Sequence, residues 1–287
     1  VRALRKGGYR LGAGYRLGAR DVGDGVTRIS LSSRLSRFIG MKACCFLVGD
    51  ILIDTGFSQV DDLLTEYLDT KTINVIVLTH NHEDHSGNCG SLSVAHRCPV
   101  CLAHPELRDS EGLGKLVPYR SIGWGRPSEY KPEPMPQKIE SGGRTLLTVP
   151  TPGHSQTHVA FFEEATGLLF AGDIYITGGV TAIMSHENPY QSIESLRRAA
   201  GLKPRRMFNG HGLTIDDPAE ALLQKADKLE ATARQVLQMH QQGASYRRIQ
   251  NAIFKTGRAR DRAMALLTGG EFSRKCFVKA CIAHAEG

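Results

Sequence analysis

The run His80-Asn81-His82-Glu83-Asp84-His85 stands directly behind the apolar stretch Ile73 to Thr79. A buried strand that ends in such a cluster delivers it into a loop, from which several side chains can be aimed at one point. Three imidazoles and a carboxylate, His80, His82, Asp84 and His85, are borderline ligands suited to Zn²⁺, Fe²⁺ or Mn²⁺. Crowding them without a cation invites repulsion whenever the histidines protonate. The competing reading, a solvated polar loop, has to explain that crowding.

The chain around the cluster has the pattern of a sheet protein with helices. Val26, Arg28 and Ser30 alternate with Thr27, Ile29 and Leu31; Ala43 to Val48 and Ile51 to Ile53 then form a hairpin about Gly49-Asp50. Val60, Leu63, Leu64, Tyr67 and Leu68 recur at helical spacing. Further strands are predicted at Pro99 to Ala103, Thr145 to Val149, Thr157 to Phe162, Leu168 to Ala171 and Arg206 to Asn209, with a helix over Ser192 to Ala200. From Pro218 the pattern is helical through Gln241 and continues in shorter pieces broken at Gly243, Gly257 and Gly269-Gly270. Residues 105–138, rich in Pro, Gly and charge and holding the single Trp, show no sustained period. They read either as a lid over the site or as a plain connector.

Three more candidate ligands stand just beyond apolar strands and beside glycines: His154 in Thr151-Pro152-Gly153-His154-Ser155, Asp173 after Phe170-Ala171-Gly172, and His211 in Gly210-His211-Gly212. Glycine beside a ligand permits tight turns and close backbone approach. The series resembles the metallo-β-lactamase superfamily, whose H-x-H-x-D-H motif is followed by isolated His, Asp and His ligands in that order. The resemblance covers roughly residues 25–215 and fills all seven positions. It implies an α/β (α+β) fold, a four-layer αβ/βα sandwich of two mixed sheets with helices outside and the site at one edge. It further implies two divalent cations, zinc first with iron or manganese as alternatives: His80, His82 and His154 on one, Asp84, His85 and His211 on the other, Asp173 bridging. Asp54, in Ile53-Asp54-Thr55-Gly56, resembles the acidic turn that supports the metal loop from behind.

The implied enzyme is a dinuclear metallohydrolase in which a metal-bridged hydroxide attacks an ester-like bond, with Asp84 orienting the hydroxide and moving its proton. Tyr175 is a candidate oxyanion donor, as a nearby tyrosine is in lactone-cleaving relatives, although its spacing differs from theirs. Classical β-lactamases carry Cys or Ser where this chain has Asp173, which favours the glyoxalase II, lactonase and related branches. A small-molecule thioester, lactone or related ester is the expected substrate, with weak β-lactam hydrolysis as a side activity. Two other functions remain open on the same ligands: a phosphodiesterase or nuclease, and a mononuclear iron dioxygenase. Glu83 reads as solvated, His104, His158 and His186 as strand-end or surface residues, and nothing singles out His96 or His240.

The net charge of +7 bears on nucleic acid only through its distribution. Residues 1–20 hold six Lys/Arg and no acid, and residues 219–287 hold twelve against six, so each end is +6 and the middle is net −5. The acidic middle suits a cation site; nucleic acid is a possible but not favoured partner. At 287 residues with 41% hydrophobic content the chain can bury one large core with a small appendage. We divide it into a flexible basic arm (1–24), which contains the tandem hexapeptides 8–13 and 14–19, a catalytic domain (25–217) and a C-terminal helical appendage (218–287). An RNA-contacting role is the sharper reading of the arm. Seven cysteines without dense spacing suit a reduced compartment. Cys98-Pro99-Val100-Cys101 matches C-x-x-C but lies at a buried strand, and Cys44 and Cys45 sit in an apolar run. No apolar stretch reaches membrane-spanning length, so the expected setting is the cytoplasm, with no membrane partner.

Overall fold

A computed structural model describes residues 2–4, 8–11, 14–38, 40–108, 118–254 and 258–285. The first sheet runs β1 (Arg2–Leu4), β2 (Gly8–Leu11), β3 (Tyr15–Asp21), β4 (Val26–Ser32), β5 (Ala43–Val48), β6 (Ile51–Ile53), β7 (Val75–Val77), β8 (Val100–Leu102) and β9 (Glu133–Pro134), in that order. It is antiparallel as far as β6 and parallel from β6 to β9. The second sheet contains β10 (Lys138–Ser141), β11 (Arg144–Pro150), β12 (Val159–Glu163) and β13 (Leu168–Phe170). Past the short strand β14 (Ile183–Met184), it continues with β15 (Arg206–Phe208) and β16 (Thr214–Asp216). β13 and β15 are parallel.

The period-2 alternation of side chains makes this a four-layer structure. On β5, Cys44, Phe46 and Val48 face the second sheet and meet Phe161, Phe170 and Phe208 there; Phe46 lies 5.3 Å from Phe170 between ring centroids. Ala43, Cys45 and Leu47 face the other way, into a cluster covered by the helices Asp61–Leu68 and Cys89–His96. On the second sheet Ala160, Phe162, Leu169 and Met207 turn outward under the helices Pro189–Gly201, Ala219–Gln241, Tyr246–Ile253 and Arg274–Ala283. Central strands buried on both faces read as continuous apolar runs, as Ala43 to Val48 does.

The structure refines three of these readings. The arm does not end at residue 24: the second hexapeptide lies in β3, where Leu17 is buried against the first sheet's outer cluster and Arg16 to Asp21 pair with Ser32 to Thr27 of β4. A free β4 edge would expose unpaired backbone, and β3 covers it. Residues 105–138 are not without structure. They contain the helix Pro118–Trp124 and β9, and Trp124 is anchored on Phe57 at 5.3 Å; residues 109–117, where a lid tip would fall, lie outside the described residues. The C-terminal helices share one cluster with the second sheet, Leu222, Ala226, Val236, Ile249 and Phe277 packing with Leu169 and Met207. β17 (Phe272–Ser273) also pairs with β14. Cys98 and Cys101 face opposite clusters across β8, so they are not a redox or metal pair. All seven cysteines are unpaired.

Candidate metal centre

Every candidate ligand lies just beyond the carboxyl end of a strand: Asp54 after β6, His80 to His85 after β7, His154 after β11, Asp173 after β13 and His211 after β15. In open α/β sheets that end is where the backbone diverges and a crevice opens. Here two facing sheets open toward the same point. Gly172, at φ 48°, turns the chain to bring in Asp173; a Cβ there would lie 2.6 Å from His158 Nε2.

The donor atoms converge in groups. His80 Nε2 lies 2.9 Å from His82 Nδ1, which lies 3.1 Å from His154 Nε2. Three ring nitrogens at that spacing cannot all be satisfied by one another, whereas a four-coordinate cation with bonds of about 2.0–2.1 Å would hold nitrogens roughly 3.3 Å apart. Beside them Asp84, His85 and His211 bring their donors within 4.8 Å of one another. Asp173 stands between the groups: Oδ2 is 2.9 Å from His211 Nε2 and 3.7 Å from His154 Nε2, and Oδ1 is 3.6 Å from His85 Nε2. His85 Nε2 and Asp173 Oδ1 are buried without a hydrogen-bond partner. Inward-facing orphaned donors of this chemistry are what divalent cations would satisfy, so the residues fit the metals that the resemblance implies.

The outward nitrogens fix the tautomers. His85 Nδ1 donates to Asp54 Oδ2 at 2.8 Å, His211 Nδ1 to the Lys42 carbonyl at 2.7 Å, and His154 Nδ1 to Glu187 Oε2 at 3.2 Å. His80 Nδ1 donates to Thr79 Oγ1 at 3.0 Å, and that hydroxyl donates onward to Asp54 Oδ2 at 2.9 Å. With Nδ1 so engaged, His80, His85, His154 and His211 turn Nε2 toward the centre, whereas His82 turns Nδ1 there. Asp54 adopts φ 59°, uncommon for a residue with a Cβ, and accepts from the Thr79 N–H as well.

Without cations the cluster divides electrostatically. Burial and the neighbouring imidazoles hold His80 and His82 well below the usual histidine value. At His85 burial also opposes the charge, but Asp173, Asp54 and Asp84 together raise the ring well above it. At His211 the same contest, won by Asp173, gives a pKa of about 9. Burial works against the Asp173 carboxylate, and His211 and His85 nevertheless hold it well below the carboxylate range.

A profile of the metallo-beta-lactamase superfamily matches residues 45–211. The chain belongs to the metallo-β-lactamase superfamily. An atrochrysone carboxyl ACP thioesterase of Aspergillus fumigatus is 30% identical over 171 residues, 58% of this chain and 46% of that protein. A beta-lactamase-like protein 2 homolog of Drosophila melanogaster is 30% identical over 195 residues, 66% of this chain and 63% of that protein. The chain therefore spans about half to just under two thirds of these relatives. Among solved structures, a metallo-beta-lactamase from Pontibacter korlensis superposes with a TM-score of 0.57 at 16% identity, covering 75% of this chain and 99% of that one. The protein TTHA1623, solved in a di-iron-bound form, does so at 0.52 and 27% identity, covering 63% and 93%.

The superfamily motif brings together all seven residues named from the sequence, and Asp54 stands behind them. Tyr175 follows two residues after Asp173. Its ring is in the cluster beneath the C-terminal helices, its hydroxyl lies beside Gly178, and its carbonyl accepts from Asn209 Nδ2 at 2.9 Å; none of these described contacts is with a candidate ligand. Two residues read as bland are structural parts of the centre. His158 is buried, accepts the Asp173 N–H at Nε2 (3.0 Å) and donates from Nδ1 to Thr151 Oγ1 (2.8 Å); burial and His154 push its pKa down to about 3. Glu83 is buried against Arg120, whose Nη2 lies 2.9 Å from Oε2. Burial raises the Glu83 carboxyl, and Arg120 opposes it. Strand alternation could have flagged His158, which stands beside the apolar Val159 to Phe162. No local signal marks Glu83, because its partner lies 37 residues away.

Proposed function

We propose that this superfamily member is a dinuclear metallohydrolase that cleaves a thioester, lactone or related carbonyl ester in a small molecule. His80, His82 and His154 would hold one divalent cation, Asp84, His85 and His211 a second, and Asp173 would lie between them; zinc is the first candidate, with iron or manganese as alternatives. The observation that carries the reading is Asp173, one carboxylate with oxygens toward His85, His154 and His211 at once. When bound, such cations polarise a carbonyl oxygen and lower the pKa of water toward neutrality.

The chain's own residues supply the rest. Asp84 Oδ2 stands 3.8 Å from His85 Nε2 and 3.9 Å from His211 Nε2, and its side chain is more exposed than that of Asp173. It would take the proton of the attacking water and pass it to the leaving group. Asp54, Thr79, Lys42 and Glu187 keep the ligand rings turned inward. Two similar proteins bear thioesterase names, the A. fumigatus protein and thioesterase pkgB of Emericella nidulans, the latter 33% identical over 184 residues, 59% of this chain and 46% of that protein. That supports the thioester arm. The seven free thiols suit the cytoplasm as the setting. No helix among the described residues is long and apolar enough to cross a membrane.

The test is metal content per chain, followed by turnover of thioester, lactone, β-lactam and phosphodiester substrates with Asp84→Ala beside the parent. Two metals per chain are expected, with ester turnover that falls about 10²- to 10⁴-fold in the variant. One iron per chain, or full turnover by a variant that keeps its metals, would overturn the proposal. Faster phosphodiester cleavage would move the reading to a nuclease.

A further inference from the structure

The loop that carries His80 to His85 is held from two different parts of the chain. Its later end is fixed by the turn after β6: the Thr55 hydroxyl donates to the His85 carbonyl at 2.9 Å, and the Gly87 N–H to the Gly56 carbonyl at 2.8 Å. Farther forward, Glu83 stands between His82 and Asp84, and its carboxylate is buried on Arg120, whose Nε and Nη2 reach Oε2 at 3.1 and 2.9 Å. Arg120 rests in turn on the appendage, with Nη1 3.2 Å from Glu271 Oε1, and the Tyr119 hydroxyl donates to the other oxygen of Glu271.

The two residues after Glu271 reach a second candidate ligand. Phe272 and Ser273 form β17 and pair with Met184 and Ile183 of β14. Just beyond β14, Glu187 accepts the Met184 N–H on Oε1 at 2.6 Å and the His154 Nδ1–H on Oε2 at 3.2 Å. Residues 271–273 therefore stand behind His82 through Arg120 and Glu83, and behind His154 through β14 and Glu187. Those two rings face each other, His82 Nδ1 lying 3.1 Å from His154 Nε2, and both belong to the group His80, His82, His154. In the other group His85 is held by Asp54 and His211 by the Lys42 carbonyl, both within the α/β body.

We propose that residues 271–273 of the appendage set the geometry of the His80, His82 and His154 cation site, with Glu271 and Arg120 as its positioning residues. The proposal rests on the two-cation reading above and assigns the appendage to one of the two sites. A cation site accepts donor distances only within about ±0.2 Å, so a support that lets His82 and His154 drift apart costs affinity even where every ligand is kept. A buried guanidinium suits such a support, because its planar fork fixes direction as well as distance. Asp84 shares the loop with Glu83, but His85 and His211 keep their own supports, so the second site should feel the same change less.

The test titrates the full chain with Zn²⁺ against a chelator and follows the histidine side chains by ¹H–¹⁵N NMR, so that each equivalent is assigned by the rings that bind it. Glu271→Ala removes both contacts of the carboxylate without stripping Arg120 from Glu83. It should lower the affinity read at His80, His82 and His154 about tenfold, the low end for a lost outer partner, and change that read at His85 and His211 less. Glu271→Gln, which keeps one acceptor oxygen, should restore part of the loss. Glu230→Gln, which breaks an exposed ion pair with Arg197 elsewhere on the appendage, should leave both affinities in place. General loosening of the fold would weaken the two groups alike. Equal weakening of both groups in Glu271→Ala, or none at His80, His82 and His154, overturns the proposal. A parent that binds two Zn²⁺ and cleaves no ester sinks the hydrolase reading alone, and a parent that binds no Zn²⁺, Fe²⁺ or Mn²⁺ at these rings sinks both.

Discussion

Asp54→Asn isolates the control of a ligand tautomer from everything else at the centre. The Asp54 carboxylate accepts three donors: the Thr79 N–H at 2.8 Å, the Thr79 hydroxyl at 2.9 Å and His85 Nδ1 at 2.8 Å. Asparagine has the same shape but one acceptor oxygen. If that oxygen keeps the Thr79 backbone, the amide NH₂ faces His85, which can accept only by moving its own proton to Nε2. An Nε2 carrying hydrogen cannot ligate. Loss of such a partner lowers metal affinity about 10- to 100-fold, which at 1.36 kcal/mol per decade is about 1.4 to 2.7 kcal/mol. His85 is affected directly, whereas His80 reaches Asp54 only through Thr79. A chelator competition should therefore show the second metal equivalent weakened by that factor and the first little changed. The fold should persist, since the substitution removes no volume from the core. Two equivalents binding to Asp54→Asn as tightly as to the parent would refute the tautomer argument.

Metal-free protein should lose stability as pH rises. His211 goes from 6.5 to about 9 on folding, so its contribution is complete below pH 6.5 and gone above about 9. At 1.36 kcal/mol per pH unit that is about 3 kcal/mol. The Tm of chelator-treated protein should drop across this window, less so in Asp173→Asn, and a flat profile would contradict the pairing. Gly210→Ala should spare the fold but abolish metal uptake, because its Cβ would lie 2.4 Å from His85 Cε1 and 2.6 Å from Asp173 Oδ1; bound-metal analysis of the folded variant checks this. Arg120→Met should cost about 3–5 kcal/mol in urea unfolding by leaving Glu83 buried and unpaired, and adding Glu83→Gln should recover part of the loss.

What the sequence made legible was local. The candidate ligands could be named because four follow one apolar strand in a single cluster and His154, Asp173 and His211 each stand beside a glycine beyond a strand of their own, and the apolar periods that build β5, β12 and β13 are unbroken. Tyr175 shows the limit of that method. Proximity to Asp173 in the chain suggested a hydroxyl at the reaction but gave no sign that the ring packs under the C-terminal helices against Lys225. The hexapeptide copies looked flexible through their glycines, yet Leu17 buried in β3 was enough to add a strand to an edge that needed one.

Glu83 and Arg120 show why the remainder was hidden, and what the appendage does for the centre. Glu83 sits in the metal loop, Arg120 in the helix Pro118–Trp124, and Glu271 just before β17. Arg120 Nη2 holds Glu83 Oε2 at 2.9 Å while Nη1 holds Glu271 Oε1 at 3.2 Å, and the Tyr119 hydroxyl donates to Glu271 Oε2 at 2.8 Å. One guanidinium therefore ties together three segments that sequence reading assigns to a loop, a connector and an appendage. Arginine suits the task because its planar fork serves two carboxylates at once and never loses its charge. Since Glu83 lies between His82 and Asp84, a shift of the C-terminal segment at Glu271 would act on the backbone of both candidate ligands. The boundary at residue 218 divides the sequence pattern, and the forces on the metal loop cross it.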